Sequence, residues 1–131
     1  MKALKILGWL SMSALTAQAQ LAITVFPPKI TGQKAIVPLV LENHFANRVE
    51  SARAVCFLLD GQGKMVGQST KWVIGQNKTG LEPGATNSFN FVITSSQPFT
   101  ATNLTAKITF SRVVLEGGKL ADVTREVTVS K

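Results

Sequence analysis

Ser51-Ala52-Arg53-Ala54-Val55-Cys56-Phe57-Leu58-Leu59, then Asp60-Gly61-Gln62-Gly63-Lys64, then Met65-Val66-Gly67-Gln68-Ser69-Thr70-Lys71-Trp72-Val73-Ile74: this stretch decides the fold. Its first segment is the most apolar of the strand-like runs and reads as a strand at the centre of a core. The middle segment is a turn, because two glycines behind an aspartate supply the positive φ at which strands reverse. The last segment spaces Val66, Thr70, Trp72 and Ile74 at even positions, as a strand does. Strand, hairpin and strand follow one another within 24 residues.

The same grammar extends in both directions. Upstream, residues 21–26 alternate Leu21, Ile23 and Val25 before Pro27-Pro28 stops further pairing, and residues 35–41 place Val37, Leu39 and Leu41 on one face. Pro38 in that run predicts an edge position or a bulge, since proline donates nothing to a ladder. Residues 43–47 read as a turn. Downstream, the polar segment 75–84 closes with Leu81-Glu82-Pro83-Gly84, and residues 87–94 alternate Phe89, Phe91 and Ile93 against polar neighbours. Residues 104–115 repeat the pattern with Leu104, Ala106, Ile108 and Phe110; Glu116-Gly117-Gly118-Lys119 turns the chain, and residues 123–129 form the last strand. No segment sustains a helical period. About seven strands with a turn every 8 to 12 residues predict an all-β fold, a single sandwich of the immunoglobulin or fibronectin-III type, with a barrel as the alternative.

The first 19 residues read differently. Met1-Lys2-Ala3-Leu4-Lys5 is a short basic segment, residues 6–15 are almost uninterruptedly apolar, and Ala17-Gln18-Ala19 is a small-x-small cleavage signal. The apolar run is about half the roughly 20 residues that cross a bilayer. Residues 1–19 are therefore expected to be a secretory signal peptide and residues 20–131 the mature domain, periplasmic or secreted, with no membrane span after cleavage.

Cys56-Phe57-Leu58-Leu59-Asp60, with Gly63-Lys64-Met65-Val66-Gly67, Leu81-Glu82-Pro83-Gly84 and Phe89, resembles the bacterial FxLYD-type immunoglobulin-like domains over about residues 35–93. The aromatic that leads the family motif falls on Cys56 and its tyrosine on Leu59, while Leu58 and Asp60 agree. The resemblance implies the sandwich and an envelope or secreted setting; it carries over no catalytic residues.

Composition narrows the function. Two of the 14 basic residues, Lys2 and Lys5, leave with residues 1–19, so 12 face 7 acids and the net charge is about +5. These bases are scattered singly, which argues against a nucleic-acid arm and for a solvated basic surface. Cys56 is the only cysteine, so no internal disulfide staples the domain; it is expected as a small buried hydrophobe, with an exposed thiol pairing two copies as the alternative. His44, the only histidine, sits in a turn and excludes a histidine-rich metal site. No Gly-x-Ser-x-Gly or Ser-x-x-Lys occurs. Gly61, Gly63 and Gly67 miss dinucleotide-loop spacing and precede a strand, so no helix end is there to hold a pyrophosphate. Asp60, Glu116 and Asp122 lie near turns without Asp-x-Asp spacing, which leaves a calcium site as a minor reading. Trp72 is expected in the core; outward, it would stack on a sugar or anchor a partner. Asn77 and Asn103 open glycosylation sequons.

No catalytic, ligand-binding or metal residues and no cofactor are therefore assigned. The expected function is a non-catalytic binding or structural module. Its sheet edges and loops would meet an envelope or extracellular protein, a polysaccharide or a second copy, and residues 21–26 are the candidate for pairing beyond their own domain. A hydrolase or metal-dependent enzyme built on His44 with Asp60 or Glu42 is the alternative. Mass spectrometry of the protein recovered outside the cytoplasm is expected to find Gln20 at its N-terminus; a retained Met1 would contradict the signal-peptide reading.

Overall fold

The computed structural model describes residues 20–75, 79–100 and 103–131. Residues 1–19, expected from sequence to be a signal peptide, and the sequon at Asn77 lie outside the described residues. Among the described residues nine strands make two sheets: β1 Leu21–Val25, β2 Lys29–Thr31, β3 Lys34–Asn43, β4 Val49–Leu59, β5 Met65–Ile74, β6 Thr86–Thr94, β7 Thr105–Leu115, β8 Lys119–Leu120 and β9 Val127–Ser130. A 3-10 turn, Glu116–Gly118, separates β7 from β8. The fold is all-β with two sheets, as a β-sandwich requires.

The first sheet is built on β3. On one side, β6 pairs antiparallel with it from Lys34 to Glu42, so β1 and β2 share the other side, β1 against Leu39 to Asn43 and β2 against Lys34 to Ile36. Pro38 thus stands in an interior strand, not at an edge. It is tolerated because its carbonyl accepts from Phe26 N at 3.0 Å, so its own missing donor falls opposite Phe26, where β1 has ended and Pro27-Pro28 inserts an extra residue before β2. Residues 21–26 do pair within their own domain: β1 lies between β3 and the parallel β9.

In the second sheet, β4 is central, with β5 on one side and β7 on the other, and β8 adds two residues beyond β7. Alternation places Ala52, Ala54, Cys56 and Leu58 of β4 inward, facing Leu21, Ile23, Val37, Leu39 and Phe91 of the first sheet within one core. Along β7 the inward set is Ala106, Ile108 and Phe110 and then Val113 and Leu115. The phase slips by one because Arg53 pairs with Arg112 but Ala54 with Phe110, leaving Ser111 as a bulge whose hydroxyl donates to Arg53 O at 3.3 Å.

Turn chemistry explains the remaining departures from sequence expectation. Asp122 accepts from Thr124 N (3.0 Å) and Thr124 Oγ (2.7 Å), so the chain turns there and the last strand begins at Val127, four residues later than expected. The Glu82-Pro83-Gly84-Ala85 turn has Ala85 N donating to Glu82 O at 3.0 Å, and Gly84 takes φ 78° after a proline that presets the preceding angle.

Asn43 ties these pieces together. Among the described residues it is the one polar residue that is buried, and its amide is fully used: Oδ1 accepts from Phe45 N (2.8 Å), while Nδ2 donates to Leu81 O (2.8 Å) and Asn47 O (3.0 Å). Its backbone N donates to Ala85 O and its carbonyl accepts from Gly84 N. The turn into β4 and the loop into β6 are thereby fastened to the end of β3. Asn43→Ala is expected to lower unfolding free energy by roughly 2–3 kcal/mol, because it leaves the buried Phe45 N–H without its acceptor; a denaturant melt within 0.5 kcal/mol of the parent, on the order of a surface substitution, would show that the clamp matters little.

Candidate functional site

The two sides of the sandwich differ. On one side, the β7 edge of the second sheet stands beside the β9 edge of the first. Among the described residues, β7 is paired there only at Val114 and Leu115, with β8. Over residues 105–112 alternate backbone N–H and C=O groups therefore face outward, as on any antiparallel edge strand. Among the described residues β9 pairs only with β1, over Leu21 to Thr24, so it does not close the gap.

Between these edges lies an apolar cleft of about 230 Å³, lined by Val25, Phe26, Pro27, Pro28, Leu104, Thr105, Ala106 and Lys131. A second hollow of about 320 Å³ continues it along Leu59, Lys107, Ile108 and Val129 and shares Val25, Thr105, Ala106 and Lys131 with the first. The charged side chains along both hollows are the cations Lys107 and Lys131. Proline makes the cleft possible: Pro27-Pro28 turns the chain away from the sheet after Val25 and leaves Phe26 43% exposed at its mouth. The combination is an open strand edge, apolar room for alternate side chains, and positive charge at the rim.

The residues singled out in the sequence stand elsewhere. His44 Nε2 is 3.7 Å from Glu42 Oε1, a loose pair whose side chains are each 53% exposed. Asp60 sits at the far end of β4, about 35 Å along the 11-residue strand, so the structure separates the His44–Asp60 pairing considered from sequence. Asp60 instead builds the hairpin: its Oδ1 accepts from Gln62 N and Lys64 N at 2.9 Å each, and these bonds hold its carboxyl below the usual range. Asp122 is lowered in the same way by the hydroxyl and N–H of Thr124. Glu116 lies at the opposite end of the sheet from Asp60, since its N donates to Arg48 O just before β4 begins. The calcium constellation is thus taken apart by topology, and among the described residues no three acidic, histidine or cysteine groups converge on a metal position.

Trp72 corrects the sequence expectation. It is 39% exposed on the outer face of β5, opposite Arg53, whose guanidinium carbon lies 5.9 Å from the ring centroid. Even spacing put Trp72 in phase with Ile74, but β5 carries an extra residue there: Ile74 stands opposite Ala52 and Trp72 opposite Arg53, with Val73 skipped between them, so Trp72 faces outward while Val73 and Ile74 are buried. Cys56 is fully buried among apolar neighbours, and burial pushes its thiol up to about 12. Sequence reasoning missed the cleft; Lys107 within an otherwise apolar strand pattern was the one local sign of an edge.

No family model matches the chain, and no curated protein matches it either. Solved structures do. One is a protein described as ApaA from Bordetella pertussis, 15% identical, matched over 77% of this chain and 84% of that one with a TM-score of 0.56. Another is IrmA from Escherichia coli, 12% identical over 86% and 92% with a TM-score of 0.50. At such identities the likeness is one of fold.

The burial of Cys56 leads to a direct expectation. A thiol reagent at pH 8 should leave the native protein unmodified on a timescale at which the denatured protein reacts fully, because reaction requires an exposed thiolate; equal rates in the two states would place Cys56 at the surface.

Proposed function

We propose that residues 20–131 form a non-catalytic binding module of the immunoglobulin or fibronectin-III type, acting in the periplasm or outside the cell, and that its open edge takes an extended segment of a partner protein as an added strand. The basic and apolar pattern of residues 1–19 supports the compartment. The strand grammar and the FxLYD-type resemblance around Cys56 to Asp60 support the sandwich type.

The observation that carries the binding reading is the unpaired run 105–112 of β7 beside the apolar cleft. Backbone hydrogen bonds to that run would supply affinity, and side chains entering at Phe26, Leu104 and Ala106 would supply selectivity. Lys107 and the bulge at Ser111 discourage indiscriminate pairing with other edges, while the rim cations favour a segment with acidic residues.

The test is selection of linear peptides from a displayed library, followed by amide hydrogen exchange. Selected peptides are expected to alternate apolar residues with acidic ones and to slow exchange over residues 105–112. Phe26→Asp, at an exposed position that puts a charge into the mouth of the cleft, should weaken them about tenfold, or 1.4 kcal/mol. Peptides that bind equally well to Phe26→Asp and protect no amide of β7 would sink the reading.

A further inference from the structure

The outer face of the β5–β4–β7 sheet carries chemistry that the core does not use and that the open edge shares only at Lys107. Directly opposed residues on neighbouring strands point the same way, so the register arranges this face in rows. Trp72, Arg53 and Arg112 form one; Thr70, Val55 and Thr109 the next; Gln68, Phe57 and Lys107 the third. Arg53 and Arg112 stand directly across from each other, an arrangement that costs stability because like charges repel. None of the seven acidic residues belongs to β5, β7 or residues 53–59 of β4, so these rows contain no counter-charge.

Trp72 lies at one end of this face. Beside it the β5 and β6 edges, so close at Gly67 that a Cβ there would come within 2.8 Å of Ile93 Cγ2, leave a polar notch of about 250 Å³ bordered by Thr79, Asn87 and Ser88. An exposed indole, hydroxyl and amide side chains and three cations therefore share one surface.

We propose that this face binds an acidic polysaccharide. The indole of Trp72 stacks on a sugar ring, Arg53, Arg112 and Lys107 pair with carboxylates or sulfates spaced along the polymer, and Gln68, Thr70 and Thr109 take its hydroxyls. Charge complementarity selects an anionic ligand, and the indole among hydroxyl and amide groups selects a saccharide over an acidic protein. The face spans about 10 Å across three strands and about 13 Å from the Arg53 row to the Lys107 row. Such a shallow platform suits an extended polymer, whereas small ligands sit in concave sites. This face meets the β7 edge at Lys107, but its tests rest on Trp72 and on the Arg53 and Arg112 side chains, which the strand-addition test does not alter, so either reading can fail without the other.

Trp72 is the only tryptophan outside residues 1–19, so the fluorescence of the processed protein reports on this face alone. Titration with polygalacturonate at low salt is expected to shift that fluorescence saturably, neutral dextran to leave it unchanged, and added salt to weaken the effect. Affinity measured by calorimetry should fall at least tenfold in R53Q/R112Q and in Trp72→Ala, with thermal melting of each variant near that of the parent. Polyglutamate binding as tightly as polygalacturonate, with Trp72→Ala without effect, would overturn the proposal and leave a bare cation patch; absence of polygalacturonate binding by the folded protein would overturn it as well.

Discussion

The buried amide of Asn43 is the constraint on which one end of the sandwich depends. An unpaired amide in an apolar interior costs several kcal/mol, so Asn43 is tolerable only with its partners in place. Those partners are backbone groups of two separate segments: Phe45 and Asn47 in the turn before β4, and Leu81 in the loop before β6. Leu81 in turn exchanges two backbone hydrogen bonds with Val49, at 2.8 and 2.9 Å, so the first residue of β4 is tied to the same knot. A protein without a disulfide thereby gains a cross-link between its sheets made of one side chain. Such a link is all-or-none, because losing any one segment strands the polar groups of the others.

At the other end, by Val25, Leu59 and Thr105, lies the open β7 edge with its cleft. Pro27-Pro28 ends the first strand after Val25, and β8, which pairs with Val114 and Leu115 at the Asn43 end, does not reach this part of β7. The result is an edge that two sheets would ordinarily close, left open beside apolar side chains. On the opposite flank, β5 runs past the core, so its middle residues stay solvent-exposed while Val73 and Ile74 anchor its end. Apolar room accumulates on the β7–β9 side and polar, cationic character on the β5 side. One domain therefore presents two chemically distinct surfaces.

The placement of β4 shows how far local sequence reaches. An apolar run followed by Asp60 and paired glycines specifies a buried strand and its hairpin, because burial and turn geometry are local demands. The same holds for β6, whose alternation of Phe89, Phe91 and Ile93 matches its inward face, with Phe91 fully buried. Where a short-range side chain competes, the sequence pattern misleads: Asp122 claims Thr124 for a turn that the apolar spacing of Val123 and Val127 had assigned to a strand.

Sequence alone determined the all-β character, the central position of β4, the burial expected of Cys56 and the turns at Asp60 and Glu82 to Gly84, since each follows from period, residue volume or allowed φ within a few positions. Tertiary structure decided which strands lie side by side, and with that everything functional. Pro38 could sit in an interior strand only because β1 happens to end opposite it. Trp72 faced solvent because Val73, an extra residue in β5 relative to β4, broke its phase with Ile74. His44 and Asp60, close in the chain, were carried to opposite ends of one strand, while Phe26 and Leu104, far apart in it, came to line one cleft. Strand pairing is set by long-range register, and no local pattern of residues encodes which edge will be left without a partner.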